Sequence, residues 1–426
     1  MYNANNFDWQ FYVTNYEDLR KNGINTKEKA YRHWIKFGEK EGRTCIQNKL
    51  IKLYPEINDY VIKNKLQDRV FRIGAAPYDI YNEIICACDI GIQIRPGNSG
   101  GLSGSVTDCL SVDLPVITVQ DIVSALDINH KMLIGFDLLQ YNDWISFKEP
   151  KGGHSNKLIA DIVNVLINFI KNNKTINHND EKISEIINNR TANYPQELIK
   201  ILCLKQNDKI AFVTPYPPDN SGVADFTHST INDLSKYIKH IDIFTDSNIT
   251  GTNIFKIDEI QSKFNNYVNV IYVVGNSPFH TKIIMYLQKL GGSCILHDER
   301  LAPLYFSLGK VPPNFVLDEE KGHTSLCLHE IIHANPLIVH SKKLQIIIKT
   351  IYNKDAAYIP FCSFNKLKKY NQSELKLIRM KYKMDGNINI VANGRFALIK
   401  CPFLLLKIAE HLRIKGIKCN IYFVGP

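Results

Sequence analysis

The sequence predicts an α/β protein with two doubly wound parallel sheets and a small helical module at its amino terminus. Short apolar runs alternate with segments of helical periodicity over residues 70–119, and the same alternation returns from residue 208 to about residue 365. With 426 residues and 45% apolar content, the chain is long enough for two separate hydrophobic cores. Together, the alternation and the length favour two sheet domains over a single large one.

An aromatic segment precedes the first sheet. Residues 7–43 hold Trp9 and Trp34, two of the three tryptophans, and apolar residues recur at helical spacing on both sides of an Asn22–Gly23 turn. We expect a helical packing module over residues 1–48. Recognition of carbohydrate or of a partner is the alternative, because aromatic faces can stack on sugars.

The pattern of segment 50–190 is typical of the later part of a sheet domain, without the strands that would begin the sheet. Predicted strands at 70–73, 90–94 and 114–119 are joined by predicted helices at 78–88 and 106–112. The glycine-rich turn 96–105 comes directly before the second of these helices. A turn of this kind offers backbone N–H groups and a positive helix end to a phosphate, and its glycines permit close approach.

The segment 205–370 reads as a complete domain, separated from the first by the polar stretch 171–182. Predicted strands lie at 209–214, 241–244, 268–274, 294–296 and 337–339. The final segment, 386–426, has a strand, a helix and a second strand. In one interpretation the chain is a piece of a tandem array, in which segment 50–190 ends one enzyme and residues 208–426 begin the next. In the other, the domain is circularly permuted, and residues 386–426 supply the first strands of the sheet to which segment 50–190 belongs. Because apolar strands are costly to expose, we expect residues 386–426 to pair with residues 70–119.

Composition excludes few function classes. The net charge of +10 comes from 52 basic and 42 acidic residues that are dispersed along the chain, which favours solvated surface over nucleic-acid binding. A mild positive field would favour an anionic substrate or a peripheral contact with an acidic membrane. The chain has no apolar run of about 20 residues and starts without a secretory pattern. We expect a cytoplasmic protein with reduced cysteines.

Several motifs, in an unusual order, carry a resemblance to a known family. "IAFVTPYPPDNSGVADF", "VVGNSPFH", "ILHDERL" and "LIVHS" follow one another in residues 210–341, and "INIVANGRFALIKCP" and "IYFVGP" lie in residues 388–426. Residues 71–118 resemble the segment that would follow "IYFVGP" if these motifs stood in their usual order. In this order the chain resembles the family 4 retaining glycosyltransferases, which have the GT-B fold of two Rossmann-like domains. Residues 7–43 resemble a short aromatic module found beside such domains.

The resemblance implies a retaining, metal-independent glycosyltransferase that moves a sugar from a nucleotide-sugar donor to a glycan, lipid or protein acceptor, with no bound cofactor. The absence of an Asp-x-Asp pair agrees with this chemistry. The implied catalytic residues are His297, Arg395 and Lys400. The implied donor-binding residues are Ser221, Gly222, Gly100, Gly101, Ser103, Ser105 and Asp108.

Alternatives remain for these residues and for the function. Arg395 and Lys400 would otherwise be surface charges, His297 a structural histidine, and Ser221 a helix cap. The family usually has two acidic residues beside the donor loop; Asp108 stands at the second place, and Leu102 stands at the first. The alternative functions are an inactive or regulatory sugar-nucleotide-binding scaffold, a fragment of a tandem enzyme, and a nucleotide-sugar epimerase.

Overall fold

The computed structural model describes residues 9, 12–13, 17–38, 55–74, 76–95, 102–146, 149, 151–172, 182–219, 221–310, 317–318, 322–323, 329–384, 386, 388–394 and 396–425. The chain divides into two compact units, Met1–Lys65 and Leu66–Pro426. Each unit has its own secondary structure and is described separately.

The first unit is helical over the residues that are described. Its helices are α1 (Glu17–Lys21), α2 (Lys27–His33), which continues into a π-helical turn (Trp34–Gly38), and α3 (Pro55–Lys63). A small aromatic core holds the first two helices together: the Tyr12 and Trp34 rings meet edge to face, with centroids 5.6 Å apart. Leu19 and Ala30 are buried against them. The packing module predicted over residues 1–48 stays a prediction, and the compact unit extends to Lys65.

The second unit contains the strands and the remaining helices. The strands are β1 (Val70–Gly74), β2 (Ile90–Gln93), β3 (Val116–Val119), β4 (Leu133–Phe136), β5 (Lys209–Val213), β6 (His240–Thr245), β7 (Ile254–Lys256), β8 (Asn269–Val274), β9 (Ser293–Leu296), β10 (Leu317–Asp318), β11 (Gly322–His323), β12 (Leu337–Val339), β13 (Ala357–Tyr358), β14 (Ile388–Asn393) and β15 (Cys419–Val424). The helices are α4 (Tyr78–Ala87), α5 (Gly104–Ser111), α6 (Gln120–Leu126), α7 (Asn156–Lys171), α8 (Ile183–Ile201), α9 (Gly222–Leu234), α10 (Ile260–Lys263), α11 (Thr281–Leu290), α12 (Ala302–Ser307), α13 (Lys342–Tyr352), α14 (Gln372–Lys381) and α15 (Pro402–Ile414).

The first sheet is assembled from distant parts of the sequence. Its order is β1-β15-β14-β2-β3-β4, and every pairing is parallel. Ile421 lies opposite Val70 on one side and Ile390 on the other, and Ile390 lies opposite Ile90. The tail therefore supplies two central strands between β1 and β2. Counted from β14, the order becomes 3-2-1-4-5-6, which is the order of the Rossmann fold.

The second sheet is continuous in sequence. Its order is β13-β12-β9-β8-β5-β6-β7, again with parallel pairings throughout. Counted from β5, the order is 7-6-5-4-1-2-3, so strand order reverses between β5 and β8. The unit is thus an α/β structure with two Rossmann-like parallel sheets.

Burial explains why these runs form strands. The strands β2, β3, β9, β12 and β15 are buried along their whole length, as expected for parallel strands covered by helices on both faces. The edge strands β4, β7 and β13 are only partly buried. Among the described residues, no helix combines the length and the apolar character needed to cross a membrane.

Two stretches of chain connect the sheets. Helix α8 leads from the first sheet to the second, and packs against α5 and α9. Residues 361–371, called the crossing segment below, lead back from β13 of the second sheet to α14, which packs against α4 beside the first sheet. The hydroxyl of Thr191 in α8 donates to the carbonyl of Ser363 in the crossing segment at 3.0 Å, so the two connections touch.

Candidate functional site

The reversal of strand order in the first sheet creates a crevice at its carboxyl edge. Strand β14 ends at Asn393 and strand β2 ends at Gln93, and the chain leaves these neighbouring strands in opposite directions. The Gln93 side-chain amide donates to the Asn393 side chain at 2.6 Å and to its carbonyl at 3.1 Å. Ligands of doubly wound sheets bind in this position, so the loops that follow both strands form the candidate site.

Two cationic side chains lie near each other in the crevice. Lys400, at the end of the 3-10 turn Leu398–Lys400, donates to the Asn393 carbonyl at 3.3 Å. Burial of the ammonium group lowers the pKa of Lys400 to about 7, and repulsion from the nearby Arg95 acts in the same direction. Burial also lowers the pKa of Arg95, which follows β2. Neither forms a salt bridge within the part of the chain that the structure describes.

Helix α5 begins beside these cations. Its N-cap residue Ser103 is fully buried and makes no capping bond; its hydroxyl instead accepts from the Arg95 guanidinium at 3.2 Å. Gly394 has a φ of +92°, and a Cβ there would lie 2.5 Å from Ser105 Oγ and 2.6 Å from Lys400 Nζ. The Ser105 hydroxyl and the Lys400 ammonium group therefore lie together over the backbone of Gly394.

The second sheet supplies an opposing wall. Its strand order reverses between β5 and β8, and β8 is followed by Gly275. A Cβ at Gly275 would approach Val223 at 3.1 Å and Asp298 at 3.2 Å, so the start of α9 and the end of β9 are adjacent. Asp298 attracts Arg95 of the first sheet, which raises the pKa of Arg95 against the effect of burial. Arg95, after β2 of the first sheet, and Asp298, after β9 of the second, are therefore near enough for their charges to interact.

The amino end of α9 lies at this wall. Ser221 is its N-cap, and its hydroxyl accepts from the Val223 N–H at 3.3 Å, which is the capping arrangement considered as the alternative for this residue. A side chain at Gly222 would find no atom within 4 Å. The backbone of Gly222 therefore borders open space.

His297 directly follows β9 and packs in an aromatic cluster. Its ring lies 4.4 Å from the Phe226 ring and 5.0 Å from the His340 ring, measured between centroids. Burial lowers the pKa of His297 well below the usual range, and repulsion from His340 and His280 adds to this. The imidazole is therefore neutral near pH 7. Its Nε2 atom is buried without a hydrogen-bond partner among the described residues.

Asp108 is buried, and its carboxylate accepts hydrogen bonds from three side chains. It accepts hydrogen bonds from the Tyr81 hydroxyl at 2.7 Å, from the Asn365 amide at 2.8 Å and from the Ser363 hydroxyl at 2.9 Å. Burial raises the pKa of Asp108 to about 6, while these three bonds act to lower it. The carboxylate that the resemblance implies for donor binding is thus held by three protein donors. Leu102 offers no acceptor at the place of the other acidic residue.

The structure brings together one part of the expected residue set and leaves another part outside the described residues. Lys400, Ser103 and Ser105 share one wall, and His297, Ser221 and Gly222 belong to the other. Arg395, Gly100 and Gly101 lie outside the described residues. Arg95 was not among the sequence candidates. Its signal was available, because a basic residue directly after a buried strand falls at the carboxyl edge of a parallel sheet.

Among the described residues, no cluster of three or more histidine, cysteine, aspartate or glutamate side chains is arranged to hold a metal ion. Comparisons of the chain with protein-family models, with curated proteins and with solved structures found no significant match.

Proposed function

We propose that the protein is a glycosyltransferase of the GT-B type that transfers a sugar from a nucleotide-sugar donor with retention of anomeric configuration. One observation carries the proposal: Lys400 and Arg95 lie near each other at the strand-order reversal of a Rossmann-like sheet, and among the described residues no carboxylate is bonded to either one. Two cations held together in a low-dielectric crevice repel each other. A diphosphate placed between them relieves this repulsion.

The surrounding groups fit a diphosphate as leaving group. The hydroxyls of Ser103 and Ser105 and the first N–H groups of α5 lie beside the cations. Transfer of a sugar leaves negative charge on the diphosphate, and fixed positive groups stabilise that charge most strongly in the transition state. The sugar then lies toward His297 and Asp298 on the opposing wall. Retention is proposed from the resemblance of residues 71–118, 210–341 and 388–426 to the glycosyltransferase family.

Titration calorimetry with UDP, GDP, ADP and dTDP tests the anion site. We expect one of these to bind the wild-type protein, and we expect Lys400→Met to weaken that binding by roughly 10- to 100-fold, the value of a buried charge-assisted hydrogen bond. Lys415→Met is the matched control, because Lys415 is exposed just beyond α15. Equal binding by wild type and Lys400→Met would contradict the proposal.

Turnover separates the transferase from its main rival. The engagement of Asp108 by Tyr81, Ser363 and Asn365, together with Leu102, favours a scaffold that binds a sugar nucleotide without transferring it. Incubation with labelled nucleotide sugars and a panel of glycan, lipid and peptide acceptors decides between them. A product whose new linkage keeps the donor's anomeric configuration by NMR supports the retaining transferase, and binding without any product supports the scaffold.

A further inference from the structure

A chain of hydrogen bonds joins the cationic crevice to the crossing segment. Lys400 donates to the carbonyl of Asn393, whose side-chain amide donates to the Tyr81 hydroxyl at 2.8 Å and to the Ser105 carbonyl at 3.1 Å. Tyr81 in turn donates to Asp108 at 2.7 Å. The chain ends in the crossing segment, where Ser363 and Asn365 donate to both oxygens of the Asp108 carboxylate.

Each link in this chain constrains the next. The Asn393 side chain is fixed by Gln93, Tyr81 and the Ser105 carbonyl. Its backbone carbonyl is the described hydrogen-bond partner of the Lys400 ammonium group. A change in the position of Tyr81 therefore moves Asn393, and with it the lysine. Asp108 and Asn393 are each 1% exposed, whereas Tyr81 is partly exposed, so water does not readily replace a bond lost at Asp108 or Asn393.

The crossing segment also docks on the second sheet's helices. The Ser229 hydroxyl of α9 donates to the Phe364 carbonyl at 3.2 Å, and Lys366 pairs with Asp233 of the same helix at 2.6 Å. The Phe364 ring packs edge to face on the Phe226 ring, and Phe226 contacts His297. The segment is therefore fixed at once to the wall that holds His297 and, through Asp108, to the wall that holds Lys400.

We propose that Tyr81 and Asp108 are positioning residues that couple docking of the crossing segment to the geometry of the Lys400 anion site. The proposal rests on the proposed function only in taking this crevice as an anion site. Docking of the segment holds Asp108, Asp108 holds Tyr81, and Tyr81 holds Asn393 beneath the Lys400 ammonium group. When the segment is docked on both walls, the cationic pair is in place.

The chain offers a matched control for this coupling. Asp113 also binds the crossing segment, through Lys369 at 2.5 Å and with the Ser184 N–H as its other partner. Neither of these bonds leads to Asn393. Loss of the Asp113 carboxylate therefore loosens the same segment without entering the hydrogen-bond chain to the crevice.

The experiment compares wild type, Tyr81→Phe, Asp108→Asn and Asp113→Asn by pyrophosphate binding and by hydrogen exchange. We expect Tyr81→Phe and Asp108→Asn to raise the pyrophosphate Kd by about 3- to 10-fold, the effect of one lost hydrogen bond. In both variants, amide exchange should quicken in peptides covering 361–371 and 388–394 together. In Asp113→Asn, exchange should quicken only in 361–371, with Kd within about twofold of wild type.

The outcomes distinguish this inference from the proposed function. Tyr81→Phe loses one hydroxyl and is the variant most certain to fold; wild-type exchange in both of its peptides overturns the coupling. The coupling is also overturned if Asp113→Asn loses as much pyrophosphate affinity as Tyr81→Phe and Asp108→Asn. In that case a general loosening of the crossing segment, and not the hydrogen-bond chain, would be the cause. If wild type binds neither pyrophosphate nor a nucleoside diphosphate, the proposed function fails, and the exchange comparison alone decides the coupling.

Discussion

At the scale of single residues, Lys400 is the most informative group. Its pKa of about 7 in the anion-free protein lies far below the ordinary value of 10.5 because the ammonium group is buried and Arg95 is near. The folded pKa is the lower one, so the unfolded state binds more protons between these two values. The stability of the protein should therefore rise with pH above about 7, as Lys400 becomes neutral in the folded state.

Ligand binding should show the opposite dependence on pH. A diphosphate stabilises the charged form of Lys400, so binding takes up a proton wherever the free lysine is neutral. Between pH 7 and pH 9 we expect the affinity for a nucleoside diphosphate to fall by up to about tenfold per pH unit. Calorimetry in buffers of different ionisation enthalpy measures this uptake. The Lys400→Met variant should show no such proton uptake, and a pH-independent wild-type affinity over this range would contradict the assignment.

Single residues also show where sequence reasoning stops. Lys400, Ser103 and Ser105 could be proposed because they lie in the motifs that carry the resemblance to the glycosyltransferase family. The partners of Asp108 could not, because Ser363 and Asn365 are more than 250 positions away and lie in a segment without periodicity. Arg95 could have been found from its position after β2, but one arginine is hard to single out among the 52 basic residues of the chain.

At the scale of elements, burial separates the strands that could be predicted from those that could not. Central strands such as β8 and β15 are continuous apolar runs, because both faces are covered by helices. The edge strands β4, β7 and β13 were not predicted from the sequence. They are short and partly exposed; β7 and β13 have only three and two residues, whereas the run Leu133–Phe136 of β4 is apolar and could have been recognised in the sequence.

The tail strands offer a test of the first sheet. Ile421 is completely buried in β15, between β1 and β14, so Ile421→Ala should lower the free energy of unfolding by about 2–5 kcal/mol. Ile414→Ala is the control, since Ile414 is 69% exposed at the end of α15 and should change stability by less than about 0.5 kcal/mol. Urea denaturation followed by circular dichroism measures both. Similar small effects would show that β15 is not a central strand in solution.

At the scale of the whole second unit, two sheets contribute to one cleft. Asp298 of the second sheet attracts Arg95 of the first, and so competes with any anion that binds beside Arg95. Asp298 also accepts from the Asn276 N–H at 2.7 Å, a bond that an asparagine oxygen can keep. The substitution Asp298→Asn therefore removes the negative charge and keeps both this hydrogen bond and the shape of the side chain.

We therefore expect Asp298→Asn to bind pyrophosphate more tightly than wild type, by roughly threefold, with the difference shrinking at high salt. Calorimetry at low and high ionic strength measures it. Asp355→Asn is the control, because Asp355 is exposed and pairs only with Lys349 among the described residues. Unchanged affinity in Asp298→Asn would mean that the two walls do not share an electrostatic field.

The contact between Thr191 and Ser363 has a mechanical consequence for the cleft. Helix α8 and the crossing segment are the two covalent connections between the halves of the second unit, and this hydrogen bond brings them to one point. The halves also touch elsewhere, at the ion pairs of Lys342 with Asp127 and of Lys343 with Asp121. Widening of the gap between the walls would have to stretch these ion pairs as well as the contact at Thr191, so both sets of contacts resist opening.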